Sequence, residues 1–156
     1  MFPSKLLLST IWNLTNKTVR MQEQTLFLIK PNATANNKIG AILNSVEENG
    51  FTIVALKMFT MERSLAKEFY AEHTEKSFFE KLLAFMTSGK TVAAVLARDN
   101  AVEKLRELVG NTEPKKAKPG TLRYLYGDHD NMTHNAVHAA DSVDHARREI
   151  EIIFRK

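Results

Sequence analysis

Two rhythms of apolar residues alternate along the chain. TLFLIK, Thr25 to Lys30, is an unbroken apolar run closed by Pro31, and predicts a buried strand. Ile39, Ile42, Leu43 and Val46 then recur at helical spacing, with Gly50 where that helix should stop. FTIVALKMF, Phe51 to Phe59, is rich in strand formers. Ser64 is placed to cap a helix with Leu65 and Phe69 on one face, although Lys67 supplies no capping-box acid. A second helical piece covers Phe78 to Met86 and breaks at SGK. TVAAVLA, Thr91 to Ala97, is another buried strand, and Asn100 caps a helix through Val102, Leu105 and Val109 that Gly110 ends.

An irregular stretch follows from Gly110 to His134, long enough to suggest function. NAVH, Asn135 to His138, returns as a short edge or core strand. Ser142 to Glu149 reads as a helix, and IEIIF closes the chain. The order is strand, helix, strand, helices, strand, helix, loop, strand, helix, with no repeat and no interdomain linker. Helices with a few short strands suggest one sheet covered on one face.

Composition narrows the choices. A chain of 156 residues suits one domain with one sizeable core. Cysteine is absent, so disulfides, thiolate metal sites and thiol catalysis are excluded, and a reducing compartment fits. The formal charge of +4 suits a phosphorylated partner but does not amount to a nucleic-acid tail. KKAK, Lys115 to Lys118, is short and reads as a solvated loop or one that meets small phosphates. LLLSTIW is too short to span a bilayer, so no membrane role is expected. Residues 1–22 hold Lys5, Lys17 and Arg20 and no acid. They are taken as an extension of uncertain role ahead of a domain over residues 23–156. A mitochondrial-type leader is the alternative, and Met21 is a possible natural start.

Several polar groups have a local reason to converge. Lys30 ends the first strand, Arg106 sits on a helix otherwise patterned apolar, Thr112 follows that helix, and Arg123 lies in the long loop. Three cations and a hydroxyl suit a polyphosphate. NAVHAADS sets His138 among small residues, where a neutral imidazole with room around it can attack phosphorus. Taken singly, each has a plainer reading: the cations as surface groups, His138 as a structural histidine, Asp141 as a helix cap. Tyr70 and Phe78 either flank a base or fill a core. His73, His129, His134 and His145 read as surface or loop residues. SGKTV lacks the upstream glycine of a phosphate-binding loop, and its Lys90 enters a strand where that motif requires a helix.

The combination is more specific than its parts. LFLIKPNA, FYAEH, FFEKLLAFMTSG, GNTEPKKAKPGTLR and NAVHAADS, in this order, resemble the nucleoside diphosphate kinases over nearly all of Glu23 to Phe154. The resemblance implies an α+β fold, a ferredoxin-like αβ sandwich with a four-stranded antiparallel sheet and surface helices. It implies transfer of the terminal phosphoryl group of a nucleoside triphosphate, usually ATP, to a nucleoside diphosphate. The route would be ping-pong through phosphohistidine, with Mg2+ held mainly by the nucleotide. By the family motif His138 is the nucleophile, and Lys30 contacts phosphates and the sugar hydroxyl. Tyr70 lies near both, and Glu149 orients the imidazole. Phe78 stacks on the base with Leu82 beside it. Arg106, Thr112 and Arg123 bind phosphates, and Asn135 contacts the sugar. Stacking tolerates any base, so broad base specificity is expected.

The sequence also departs from the family pattern. Ala139 and Ala140 stand where glycine and serine usually follow the histidine, which removes one hydroxyl near the nucleophile. Asn32 replaces an aspartate, Tyr124 a glycine and His134 a common arginine, and the stretch from Tyr124 to His134 is slightly long. A member retained mainly for nucleotide binding or interaction, with catalysis weakened at Ala140, is therefore the alternative; a DNA-associated protein is a third. Shorter members resemble bacterial ones, so a cytoplasmic homo-oligomer, tetramer or hexamer, is expected.

Overall fold

The computed structural model describes residues 22–156, so the amino-terminal extension expected from the sequence lies, but for Gln22, outside the described residues. Strand β1 (Gln24–Ile29) runs into α1 (Pro31–Ala35), with Pro31 in the first turn, where a missing N–H costs nothing. Then come α2 (Ile39–Glu48), β2 (Thr52–Thr60), α3 (Arg63–Phe69), a 3₁₀ turn (Ala71–His73), α4 (Phe79–Met86) and β3 (Lys90–Ala97). The chain finishes with α5 (Ala101–Val109), a second 3₁₀ turn (Pro114–Lys116), α6 (Leu122–Tyr126), β4 (Val137–Ala139) and α7 (Val143–Phe154). The strands pair antiparallel in the order β2-β3-β1-β4. This is the expected ferredoxin-like sandwich, a four-stranded antiparallel sheet surrounded by helices.

Helices cover both faces of the sheet, not one. Phe27 and Ile29 of β1 pack with Ile42 and Val46 of α2 and Leu105 and Val109 of α5. Leu26 and Leu28 point the other way, against Phe69 of α3, Leu83 of α4 and Ile153 of α7. The continuous apolar runs of β1 and β3 require this, because a strand that is apolar on both faces cannot leave one in water. β2 differs. It is an edge strand with Val54, Leu56 and Met58 exposed at alternate positions.

Several helix ends depart from the sequence reading. α3 starts at Arg63 with Glu62 as its cap, so Ser64 lies inside the first turn. Asn100 occupies the cap of α5 in a left-handed conformation (φ 52°), and its side chain makes no capping bond. Glu23 does that work, accepting from Val102 N–H at 2.8 Å. Ser142, not Asp141, caps α7 by accepting from His145 N–H at 3.1 Å, and α7 runs on through IEIIF to Phe154. The long irregular stretch is broken by α6 and the second 3₁₀ turn.

Candidate active site

β4 delivers His138 to the end of the sheet. Its Cα pairs with that of Leu28, two residues before Lys30, and Lys30 N–H donates to Ala136 O at 2.7 Å. Just before β4 the backbone is strained. Ala136 has φ 73°, and Val137 N–H donates to Asn135 O at 2.9 Å, closing a γ-turn around it. A non-glycine residue in that region costs about 1–3 kcal/mol, and such residues gather at functional sites. Here the turn separates Asn135 from the strand, so that Asn135 and His138 line the same hollow. Asn135 Nδ2 donates to Thr112 O at 3.0 Å, which ties the turn to the end of α5.

The imidazole is held at one nitrogen. His138 Nε2 lies 2.9 Å from Glu149 Oε1, with the two side chains 18% and 9% exposed. A carboxylate at that distance accepts Nε2–H, so the lone pair of the neutral ring sits on Nδ1. Phe69 and Tyr70 meet the ring edge-on, with centroids 5.1 and 6.4 Å away. Ala139, on the cavity wall, adds only a methyl group.

The cations surround this ring at different depths. Lys30 is 6% exposed; burial, then the nearby Arg123 charge, lowers its pKa to about 7. Arg123 donates to Gly110 O and Val137 O, both at 3.1 Å. Burial lowers its pKa to about 10, against an opposing pull from Asp141. Gly110 has φ 87°, and a Cβ there would stand 2.5 Å from Thr121 Oγ1, so glycine is needed where α5 turns toward Arg123. Arg106 is more open. It donates to Asp141 O at 3.3 Å and lies 3.9 Å from the Asp141 carboxylate. Tyr70 is buried, and its phenol is raised above its usual pKa by burial first and then by Glu149.

Tyr70 Oη, Arg123 Nε, Asn135 Oδ1 and Glu149 Oε2 are buried with no hydrogen-bond partner. Each such atom costs about 1–3 kcal/mol. All four belong to residues lining one cavity of about 720 Å³. Unmet polar groups converging on a hollow of ligand size are what a polar ligand would satisfy.

All ten residues singled out from the sequence line this cavity. Lys30, Tyr70, Arg123, Thr112, Asn135, His138 and Glu149 join Arg106, Leu82 and Phe78, which is 39% exposed. The sequence reading missed others on the same wall: Phe69, Glu72, His73, His145 and Arg148. The sequence reads His73 and His145 as surface or loop residues, and no periodicity marks them. His134 stacks on Phe85 with centroids 4.1 Å apart, beside a separate hollow of about 380 Å³. Its carbonyl accepts from Asn32 Nδ2 at 2.9 Å, so two of the departures from the family pattern touch each other. His129 lies 2.8 Å from Tyr124 O, and Lys115 to Lys118 do not line the cavity.

Comparison with known proteins gives a consistent answer. A family model described as nucleoside diphosphate kinase matches residues 23–156. A nucleoside diphosphate kinase of Bdellovibrio bacteriovorus is 47% identical over 134 residues, covering 86% of this chain and 94% of that protein. The solved structure of the Aquifex aeolicus nucleoside diphosphate kinase superposes with a TM-score of 0.81 at 41% identity, covering 85% of this chain and 94% of that one. A halophilic nucleoside diphosphate kinase from Halobacterium salinarum, solved in complex with CDP, gives 0.82 at 36% identity, covering 86% and 89%.

Proposed function

Because the chain belongs to the nucleoside diphosphate kinase family, we propose a role for each side chain that lines its cavity. The activity follows from membership. The protein transfers the terminal phosphoryl group of a nucleoside triphosphate to a nucleoside diphosphate through a catalytic histidine. We assign that histidine to His138. Its Nδ1 lone pair attacks the terminal phosphorus, the bond from phosphorus to the bridging oxygen breaks, and the diphosphate leaves with the electron pair. A second diphosphate then attacks the phosphohistidine through a terminal oxygen, and the phosphorus–nitrogen bond breaks to restore the ring.

The observation that carries the assignment is the contact between His138 Nε2 and Glu149. It keeps the proton on the far side of the ring and supports the ring as charge develops. Lys30 and Arg123, desolvated, stabilise charge on the transferring oxygens more strongly than exposed cations would. Arg106 and Thr112 take the more distant phosphates, Asn135 the sugar, and Tyr70 donates its hydroxyl near the reacting group. Phe78 stacks on the base with Leu82 beside it.

Family membership implies that transfer depends on Mg2+. The lining donors fit an ion carried in on the substrate's phosphates. Lys30, Arg106 and Arg123 offer positive charge to the phosphates; the acids that also line the cavity, Glu72, Glu103, Glu107, Asp141 and Glu149, do not gather in a group of three that could hold a metal among the described residues. We take the magnesium–nucleotide complex as the substrate, with ATP the expected donor.

Phosphate exchange from ATP onto adenine, guanine, cytosine and uracil diphosphates tests this reading. All four should be accepted with rates within about an order of magnitude, since stacking does not read base edges. Phe78→Ala should raise KM for each by a similar factor of about ten, from the loss of ~1–3 kcal/mol of stacking. A variant that loses one base selectively would show that Phe78 is not the shared contact.

We also infer a homo-oligomer, tetramer or hexamer. The apolar stripe Val54, Leu56 and Met58 on the open edge strand supports it, because such an edge is a ready site for pairing with another chain. Sedimentation giving a monomer mass at micromolar protein would remove this inference. Among the described residues no helix is long and apolar enough to cross a membrane. A cytoplasmic setting is supported by the lack of cysteine.

A further inference from the structure

The helix that orients the nucleophile also grips the nucleotide side of the cavity. α7 carries Glu149, and it carries His145 and Arg148 one turn apart on a common face. Arg148 Nη2 donates to Glu68 O at 2.7 Å and Nη1 to Phe69 O at 3.4 Å. Those carbonyls belong to the last turn of α3, where a cation complements the helix dipole. His145 Nε2 meets Glu72 Oε1 at 3.0 Å in the 3₁₀ turn that follows. Arg155, just past α7, adds a contact to Glu68 Oε1 at 2.6 Å.

Tyr70 sits between these anchors. The aromatic rings then continue outward: Tyr70 to His73 at 6.3 Å, and His73 to Phe78 at 5.5 Å. The clasp therefore fixes the stretch of chain that presents both the phenol and the base-stacking ring. Its contact between His145 and Glu72 is substantially exposed, with side chains 39% and 53% accessible. Exposed pairs add little to stability. What these contacts constrain is the spacing between two walls of one cavity.

We propose that Arg148 and His145 are positioning residues that hold the Glu68-to-His73 turn at the distance from His138 where Tyr70 and Phe78 engage a nucleotide. This rests on the assignment of His138, Tyr70 and Phe78 made above. Without the clasp the nucleotide wall moves, while His138 and Glu149 remain paired. A displaced wall loosens the grip on the base, so the loss falls mainly on nucleotide binding and less on the chemical step.

The test compares two phosphoryl donors on the full chain. ATP with magnesium meets the clasped wall at both Phe78 and Tyr70; phosphoramidate, which has no base or sugar, meets it only at Tyr70 and otherwise needs the nucleophile and the inner cations. Arg148→Met should raise KM for ATP about tenfold and His145→Ala by a smaller factor, with kcat falling less than KM rises. Labelling of His138 by phosphoramidate should fall by a clearly smaller factor than kcat/KM for ATP, and Arg148→Lys should restore part of the ATP affinity. Unchanged KM for ATP in both variants would overturn the proposal. So would an equal loss with both donors, which would place the defect in folding or at the nucleophile. Failure of the unmodified protein to accept phosphate from either donor would instead remove the His138 assignment beneath it.

Discussion

Replacing His138 with glutamine is expected to abolish acid-labile phosphate on the protein after incubation with labelled ATP and magnesium. Exchange onto diphosphates should fall by at least about 10⁴-fold. Glutamine retains polarity and approximate size but has no lone pair able to take a phosphoryl group. The cations, Tyr70 and Phe78 stay in place, so nucleotide affinity should change only a few-fold. That split separates loss of the nucleophile from loss of the site. Label persisting on the glutamine variant would move the nucleophile elsewhere. Glu149→Gln should be milder, because the amide oxygen still accepts Nε2–H while the charge that supports the ring is gone.

Lys30→Met should act in opposite directions on catalysis and on stability. A buried cation aimed at developing phosphate charge is worth about 10²–10³ in rate, so kcat/KM should fall by roughly that factor. The unliganded variant should nevertheless melt higher, since a desolvated charge without an acid partner is replaced by an apolar chain of similar length. The pH dependence follows from the lowered pKa of about 7 against an ordinary 10.5. Below pH 7 the lysine is charged in folded and unfolded chains alike, and its burial cost is constant. Between the two values the unfolded chain binds more protons, so the folded state gains stability as pH rises. Urea melts across this window should show that rise in the unmodified protein and lack its Lys30 component in the variant. Parallel pH profiles would contradict the burial of a titrating Lys30.

The sequence made the sheet legible for a physical reason. The β1 and β3 runs are apolar without interruption, which few other elements tolerate, and Pro31 marks where β1 must end. The same continuity implies that both faces of the sheet are covered, at odds with the expectation of one covered face drawn from the count of helices and strands. α6 escaped because five residues with one buried leucine give too little periodicity to register. The cap of α5 escaped because Glu23 lies 79 residues from the N–H it satisfies. The site was read mainly through motif order. Lys30 and His138 also carried local signals, a charge closing a buried strand and a histidine among small residues. The rim did not: Arg148 reaches carbonyls 79 and 80 residues away, a relation that no local pattern encodes.

The pairing of Leu28 with His138 joins positions more than a hundred residues apart in the chain. During synthesis, β1, β2 and β3 emerge first and can already associate, but the groove they leave beside β1 has no reactive ring. The cavity is complete only once β4 pairs with β1 and α7 brings Glu149 to His138. A polypeptide that ends before β4 has neither His138 nor Glu149, and the pairing of β4 back to β1 is among the long-range contacts of the kind that slow folding.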